Sequence, residues 1–186
     1  MLLLLACAGA PSDDTASTDD TGGGAPLPPA VLYLSGDSQY YDSDGVARGR
    51  PTSELLRRTV TPEDASLEER VIEKSGGAAE EYLLLGVIDP DGPTWTYSFT
   101  TADGTLEGSG TFDEGETWAW TAWHSTSTFV DGDYAGWTIE SEDRLDGDTF
   151  TASKAFHDAT GAGQGTVEET LAVIDAETWE ETAAEW

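Results

Sequence analysis

The sequence predicts an all-β domain in which about nine antiparallel strands follow one another as an up-and-down meander. From Ser53 onward, short runs of β-branched and aromatic residues are separated by turn signals. Three Asp-Gly dipeptides, of the kind that two-residue hairpin turns favour, lie between such runs: Asp103-Gly104, Asp131-Gly132 and Asp146-Gly147. No long segment shows the apolar spacing of a helix face. These observations favour strands joined by tight turns.

The predicted strands span residues 54–60, 67–74, 80–88, 94–101, 105–112, 117–130, 133–143, 148–159 and 164–175. Within residues 31–50 a first strand is expected at Val31 to Leu34, followed by a loop. Residues 177–186 fit either a short helix or a strand. A meander of this length leaves two unpaired edges, which closure into a barrel removes. We therefore predict a barrel, with a β-sandwich as the alternative.

Each predicted turn fixes a register, because a slip of one residue would move every side chain to the other face. The registers place one row of residues side by side across neighbouring strands: His124, Ile139, Lys154 and Glu169. Lys154 and Glu169 alternate with apolar residues, so both are expected to point inward and to pair, since an isolated buried charge is costly. The pair is either a polar anchor for a ligand or an ion pair at the barrel mouth. His124 is either a ligand contact or a packed core residue.

A group of aromatic residues is predicted to share the inner face: Trp95, Tyr97, Phe99, Trp118, Trp120 and Trp137. The turn at Asp103-Gly104 sets large rings opposite glycines, with Tyr97 facing Gly110 and Phe99 facing Gly108. A three-residue loop at 114–116 sets Trp120 opposite Gly110 as well. The rings either line a ligand cavity or fill a solid core.

Two further assignments follow from the same alternation. Leu83, Leu85 and Val87 are expected on the inner face. Trp123 and His157 are expected on the outer face.

The first residues suggest where the protein resides. Leu4-Leu5-Ala6-Cys7 resembles the lipobox of bacterial lipoproteins, in which the cysteine carries the lipid. Residues 1–7 are interpreted as a truncated signal peptide with Cys7 as the attachment site, the alternative being an ordinary thiol. Residues 8–30 are rich in Ser, Thr, Asp, Gly and Pro and predict a disordered acidic tether. Residues 31–186 then form one β-barrel-like domain.

A lipobox-like leader, a tether and an up-and-down meander together resemble a lipoprotein carrying a calycin-like barrel. Calycins comprise the lipocalins, the fatty-acid-binding proteins and the nitrobindins. The resemblance implies an extracytoplasmic, lipid-anchored protein at the outer membrane or cell surface. It also implies a small or apolar ligand, which His124, Lys154, Glu169, Tyr97, Trp120 and Trp137 are expected to contact.

The formal net charge of −29 limits the partners of this chain. Residues 1–30 hold four acidic residues and no basic one, so most of the charge belongs to the domain. Such a domain repels phosphate backbones and anionic lipid headgroups. We expect a monomer that does not bind nucleic acid and that meets the membrane only through its N-terminal lipid.

Enzyme signatures are missing from the sequence. It has one cysteine, two histidines and no nucleophile-elbow, zinc-protease or phosphate-loop motif. Asp42-Ser43-Asp44-Gly45 has the acid spacing of a calcium loop but lacks its distal glutamate, so a turn is expected there. No cofactor, metal or catalytic residue is predicted. The alternatives to ligand binding are an interaction protein with a solid core and a hydrolase that depends on His124.

Overall fold

The protein is described by a computed structural model covering residues 30–61, 64–89, 92–112 and 122–186. Cys7, Trp118, Trp120 and the tether up to residue 29 lie outside these residues.

Ten strands and one helix make up the described part of the chain. They are β1 (Ala30–Asp42), β2 (Ala47–Thr61), β3 (Ser66–Ser75), β4 (Ala78–Ile88), β5 (Thr94–Thr101), β6 (Gly104–Phe112), β7 (Ala122–Phe129), β8 (Thr138–Asp146), β9 (Thr149–His157), β10 (Gly163–Val173) and α1 (Ala176–Glu185). The first strand is far longer than the segment expected from the sequence. The undecided C-terminal segment is a helix.

The strands form one closed antiparallel barrel in which each strand pairs with its neighbours in the chain. β1 closes the barrel: Leu34 lies opposite Leu56 of β2 on one side and opposite Val173 of β10 on the other. The predicted all-β meander barrel of calycin-like type is therefore confirmed, and the sandwich alternative is wrong. Closure leaves no free sheet edge among these ten strands.

Three of the predicted hairpin registers are shifted by two residues. In the β9–β10 hairpin Lys154 lies opposite Val167 rather than Glu169. In the β8–β9 hairpin Asp146 pairs with Thr149, so Gly147 and Asp148 form the turn. In the β5–β6 hairpin Thr101 pairs with Gly104. Moving a turn by one residue moves each partner by two, and an even shift keeps every side chain on its predicted face.

The predicted register of β7 and β8 is wrong by three residues. His124 lies opposite Glu142, and Ser127 lies opposite Ile139. The connection is longer than a two-residue turn, because Gly132–Tyr134 forms a 3-10 turn. An odd shift exchanges the two faces of a strand, so His124 is exposed whereas Trp123 points into the barrel.

The predicted register of β6 and β7 is wrong as well. Gly110 lies opposite Ser127 rather than Trp120, and Phe112 lies opposite Ser125. The register implied by a three-residue loop at 114–116 is therefore wrong, and the loop itself lies outside the described residues.

The predicted inner face of β4 is wrong as well. Gly86 and Ile88 are buried, whereas Leu85 and Val87 are 46% and 59% exposed. Gly86 lies opposite Tyr97, and a side chain at Gly86 would contact the Trp95 ring. The inner face of β4 is thus the one that carries Tyr82, Leu84, Gly86 and Ile88, and Gly86 leaves room on it for the Trp95 ring.

Two clusters of buried apolar residues are formed by the strands of the barrel. One contains Val60, Leu67, Ile88, Trp95, Tyr97, Phe112 and Phe129. The other contains Leu34, Leu56, Phe150, Ala152 and Leu171.

Helix α1 packs on the outside of the barrel through Trp179, which is fully buried against Leu55 and Ile72. Asp175 caps the helix by accepting a hydrogen bond from the Thr178 backbone N–H at 2.8 Å. Within the residues that the structure describes, no helix combines the length and apolar character needed to cross a lipid bilayer.

Candidate functional site

The barrel encloses a cavity of about 290 Å³, near the lower end of the range for small-molecule pockets. Its charged lining residues come from β2, β3, β8, β9 and β10, which are brought together by closure through β1. Most of its aromatic lining comes from β4, β5 and β7 on the opposite side. The cavity therefore has one charged wall and one aromatic wall.

In the aromatic wall, large rings of β5 lie opposite glycines of β6, which have no side chain to occupy the same space. Tyr97 lies opposite Gly108, and a Cβ at Gly108 would overlap the Tyr97 ring. Tyr97 stacks on Trp95 with ring centroids 4.6 Å apart and meets Phe129 edge-on at 6.1 Å. Its hydroxyl lies 3.4 Å from Ser127 Oγ, which places a weak polar contact beside the rings. Rings facing glycines were predicted correctly, although the individual pairs differ by two residues.

Lys154 and Glu169 form an ion pair between Lys154 Nζ and Glu169 Oε1. The Glu169 side chain is 4% exposed and that of Lys154 is 31% exposed, so solvent reaches this part of the cavity. Burial opposes the charge on Lys154, but the carboxylates of Glu169 and Glu54 outweigh it and raise the lysine pKa. The predicted inward pair is confirmed as a contact.

Glu54 is the most unusual carboxyl group of the charged wall. It is 2% exposed, and its Oε2 atom is buried without a hydrogen-bond partner. Burial and then the nearby charge of Glu169 raise the pKa of Glu54 to about 8, although Lys154 acts in the opposite direction. Burial also raises the pKa of Glu73, which lies directly opposite Glu54 in the sheet.

Arg58 forms a second ionic group deeper in the barrel, where it is 4% exposed. Its guanidinium donates to Glu69 Oε1 and to Asp143 Oδ2, each at 2.5 Å. The same group lies 4.9 Å from the Trp123 ring centroid and 5.1 Å from that of Phe150. Burial opposes its charge, but Glu69 and Asp143 outweigh that effect and raise its pKa.

The predicted site residues are only partly assembled. Lys154, Glu169 and Tyr97 line the cavity. His124 lies on the outer face, and Trp137 packs against the aromatic cluster without lining the cavity. Trp120 lies outside the described residues.

Both outer-face assignments can also be compared with the structure. Trp123 lines the cavity and is not a surface contact, because the β7 register differs by an odd number. His157 is partly buried on the outer face, with Nε2 4.0 Å from Glu140 Oε2.

Five charged residues that line the cavity are not among those predicted from the sequence: Glu54, Arg58, Glu69, Glu73 and Asp143. A signal for them exists in the alternation, because Arg58 lies between Leu56 and Val60 on the same face of β2. Leu55 obscures the alternation, because it is apolar and is buried on the opposite face of β2, beneath α1. With both faces apolar, the alternation of β2 could not show which face pointed inward.

The acidic segment that begins at Asp42 is a turn, as predicted. Asp42 Oδ1 accepts hydrogen bonds from the backbone N–H groups of Asp44 and Val46, both at 3.0 Å, and Gly45 has a φ of 74°. In the described ranges, no three histidine, cysteine, aspartate or glutamate side chains are grouped so as to hold a metal ion.

Comparisons of this chain with protein-family models, with curated proteins and with solved structures gave no match.

Proposed function

We propose that this protein is an extracytoplasmic lipoprotein whose barrel binds one small, largely apolar ligand in its interior. The observation that carries the proposal is the cavity of about 290 Å³ with an aromatic and a charged wall. Ligand pockets combine mostly apolar linings with a few placed polar groups in this way.

The polar groups of the cavity support the same proposal. Buried polar atoms are nearly always hydrogen-bonded in folded proteins, because leaving one unpaired costs about 1–3 kcal/mol. Glu54 Oε2, Asp143 Oδ1 and Trp123 Nε1 are buried at the cavity without a protein partner. A ligand that paired with several of these atoms would offset that cost on binding.

Intrinsic tryptophan fluorescence tests the proposal, since Trp123 lines the cavity. The full chain is titrated with fatty acids, retinoids and haem, and we expect saturable quenching by at least one of them. Ser141→Phe places a ring inside the cavity and should abolish the response. Ser109→Phe, the same change at an exposed position of β6, should keep it.

Two results would contradict a ligand cavity. One is the absence of a saturable response to every compound in the panel. The other is equal quenching of the protein with and without the Ser141→Phe change. Either result would favour an interaction or structural protein whose core binds no small molecule.

The location of the protein is a separate part of the proposal and depends on Cys7. Expression from the native genomic locus with an alkyne-bearing palmitate should label the protein and place it in the membrane fraction. Cys7→Ser should abolish both, whereas Ser12→Ala, a change in the neighbouring tether, should not. Label that persists in the Cys7→Ser variant would overturn lipid attachment at this residue.

A further inference from the structure

The lining of the cavity carries more negative than positive groups. Five carboxyl groups line it, from Glu54, Glu69, Glu73, Asp143 and Glu169, against the cations Arg58 and Lys154. Both cations are already engaged, because Arg58 binds two carboxylates and Lys154 binds Glu169. Glu54 and Glu73 lie opposite one another in β2 and β3, and the cation that acts on both of them is the same Lys154. The cavity therefore lacks positive charge.

The unpaired atoms in the cavity show the same imbalance. Three buried carboxylate oxygens there have no hydrogen-bond partner: Glu54 Oε2, Asp143 Oδ1 and Glu169 Oε2. These residues are only 2%, 8% and 5% exposed. Two donors at the cavity, Arg58 Nη1 and Trp123 Nε1, are also unpaired, but the charge of Arg58 is balanced by two carboxylates. Three of the five unpaired polar atoms at the cavity thus belong to carboxyl groups, which attract a cation when they are ionised.

We propose that the ligand is an amphipathic cation, an amine or quaternary ammonium group carried on a small apolar body. The cationic group would lie against Glu54 and Glu169, where it supplies the missing positive charge. The apolar body would lie on Tyr97, Phe99 and Phe129, whose ring faces also attract cations. This inference rests on the proposed function, because it names the class of ligand for the same cavity.

Binding of a cation should be coupled to the ionisation of Glu54. Its carboxyl faces Glu169 and Lys154 on β10 and β9, Glu73 on β3 and Ser38 on β1. With a pKa of about 8, Glu54 is largely protonated at neutral pH in the unliganded protein. A bound cation favours the carboxylate, so a proton is released to solvent on binding.

The test is isothermal titration calorimetry of the full chain with three probes that share an aromatic ring. They are benzyltrimethylammonium, its neutral isostere neopentylbenzene, and phenylacetate. We expect the ammonium to bind at least about tenfold more tightly than the other two. Its affinity should rise between about pH 6 and pH 9, although the probe itself has no titrating group.

Variants assign the effect to Glu54. Glu54→Gln should weaken binding of the ammonium by at least about tenfold, reduce its preference over neopentylbenzene by the same factor and remove the proton release. Glu142→Gln, which removes an exposed carboxylate on the outer face of β8, should change none of these. Retained ammonium affinity in the Glu54→Gln protein would overturn the placement of the cation.

The outcomes separate this inference from the proposed function. If neopentylbenzene or phenylacetate binds as tightly as the ammonium and Ser141→Phe blocks it, the cavity is a ligand site but the ligand is not a cation. If none of the three probes binds, and the fluorescence panel also gives no response, both proposals fail.

Discussion

Lys154 and Glu169 form their ion pair diagonally, not across directly opposed positions. Lys154 lies opposite Val167, and Glu169 lies opposite Ala152. The long side chains bridge the offset of two residues on the same face, which is within the reach of diagonal neighbours in an antiparallel pair. The contact thus depends on both residues pointing inward, which the alternation determines, and only weakly on the register.

The first prediction concerns this pair. Lys154→Met leaves the carboxylate of Glu169 buried without its cation, and we expect a loss of about 2–3 kcal/mol in the free energy of unfolding. Partial exposure of Lys154 keeps the loss below that of a fully buried pair. Urea denaturation measures it. The double variant Lys154→Met/Glu169→Gln should recover much of the loss, and an unchanged single variant would show that the lysine contributes nothing.

The second prediction concerns the pH dependence of stability. The pKa of Glu54 is raised from 4.5 to about 8, so the folded protein holds a proton that the unfolded chain releases over this range. The contribution of Glu54 to the free energy of unfolding is therefore complete below a pH of 4.5. It declines by roughly 3–5 kcal/mol as the pH rises toward 8. Urea denaturation at about pH 4.5 and about pH 8.5 should show a shallower decline for Glu54→Gln than for the wild type.

Glu142→Gln serves as the control for this measurement, because it removes an exposed carboxylate from the barrel surface. It should follow the wild-type decline. Equal pH profiles for Glu54→Gln and the wild type would contradict a protonated Glu54 inside the barrel.

The third prediction tests the ring that covers Gly108. Gly108→Ala forces a Cβ into the Tyr97 ring, and we expect a loss of about 1–3 kcal/mol. Gly163→Ala is the matched control, since nothing lies within 4 Å of a Cβ at that position. Thermal denaturation compares the two variants. If Gly108→Ala lowers the stability of the Tyr97→Leu protein as much as that of the wild type, the Tyr97 ring is not the cause of the loss.

The fourth prediction concerns the helix on the outer face. Trp179→Ala should cost about 3–5 kcal/mol, because the ring is fully buried against Leu55 and Ile72. Glu181→Ala, at an exposed position of the same helix, should leave stability nearly unchanged. Urea denaturation measures both variants. Equal stabilities of the two variants would mean that the helix does not dock on β2 and β3.

The meander and the inward pair were predictable from the sequence, because alternation and turn signals are local features. An error of one residue in a turn shifts partners by two and leaves the faces unchanged, so Lys154, Glu169 and Tyr97 were placed correctly. The β7–β8 loop shows the limit of this reasoning. Because this loop contains a 3-10 turn, the register differs from the predicted one by an odd number of residues. His124 therefore lies on the outer face and Trp123 on the inner face.

The charged wall on β2 could not be found in the same way. Contact with α1 buries Leu55 on the outer face, so β2 carries apolar residues on both faces near Glu54 and Arg58. The docking of a helix from the other end of the chain is a long-range event that no local pattern reports. The acidic lining of the cavity therefore depends on the closure of the barrel and was not predictable from local patterns.

A crystal structure of the protein grown with benzyltrimethylammonium tests most directly whether the barrel interior is a ligand site. We expect one bound molecule inside the barrel, with its ammonium group beside Glu54 and Glu169 and its ring against Tyr97 and Phe129. A barrel whose interior is filled by its own side chains, with the probe bound only on the outer surface, would contradict this expectation.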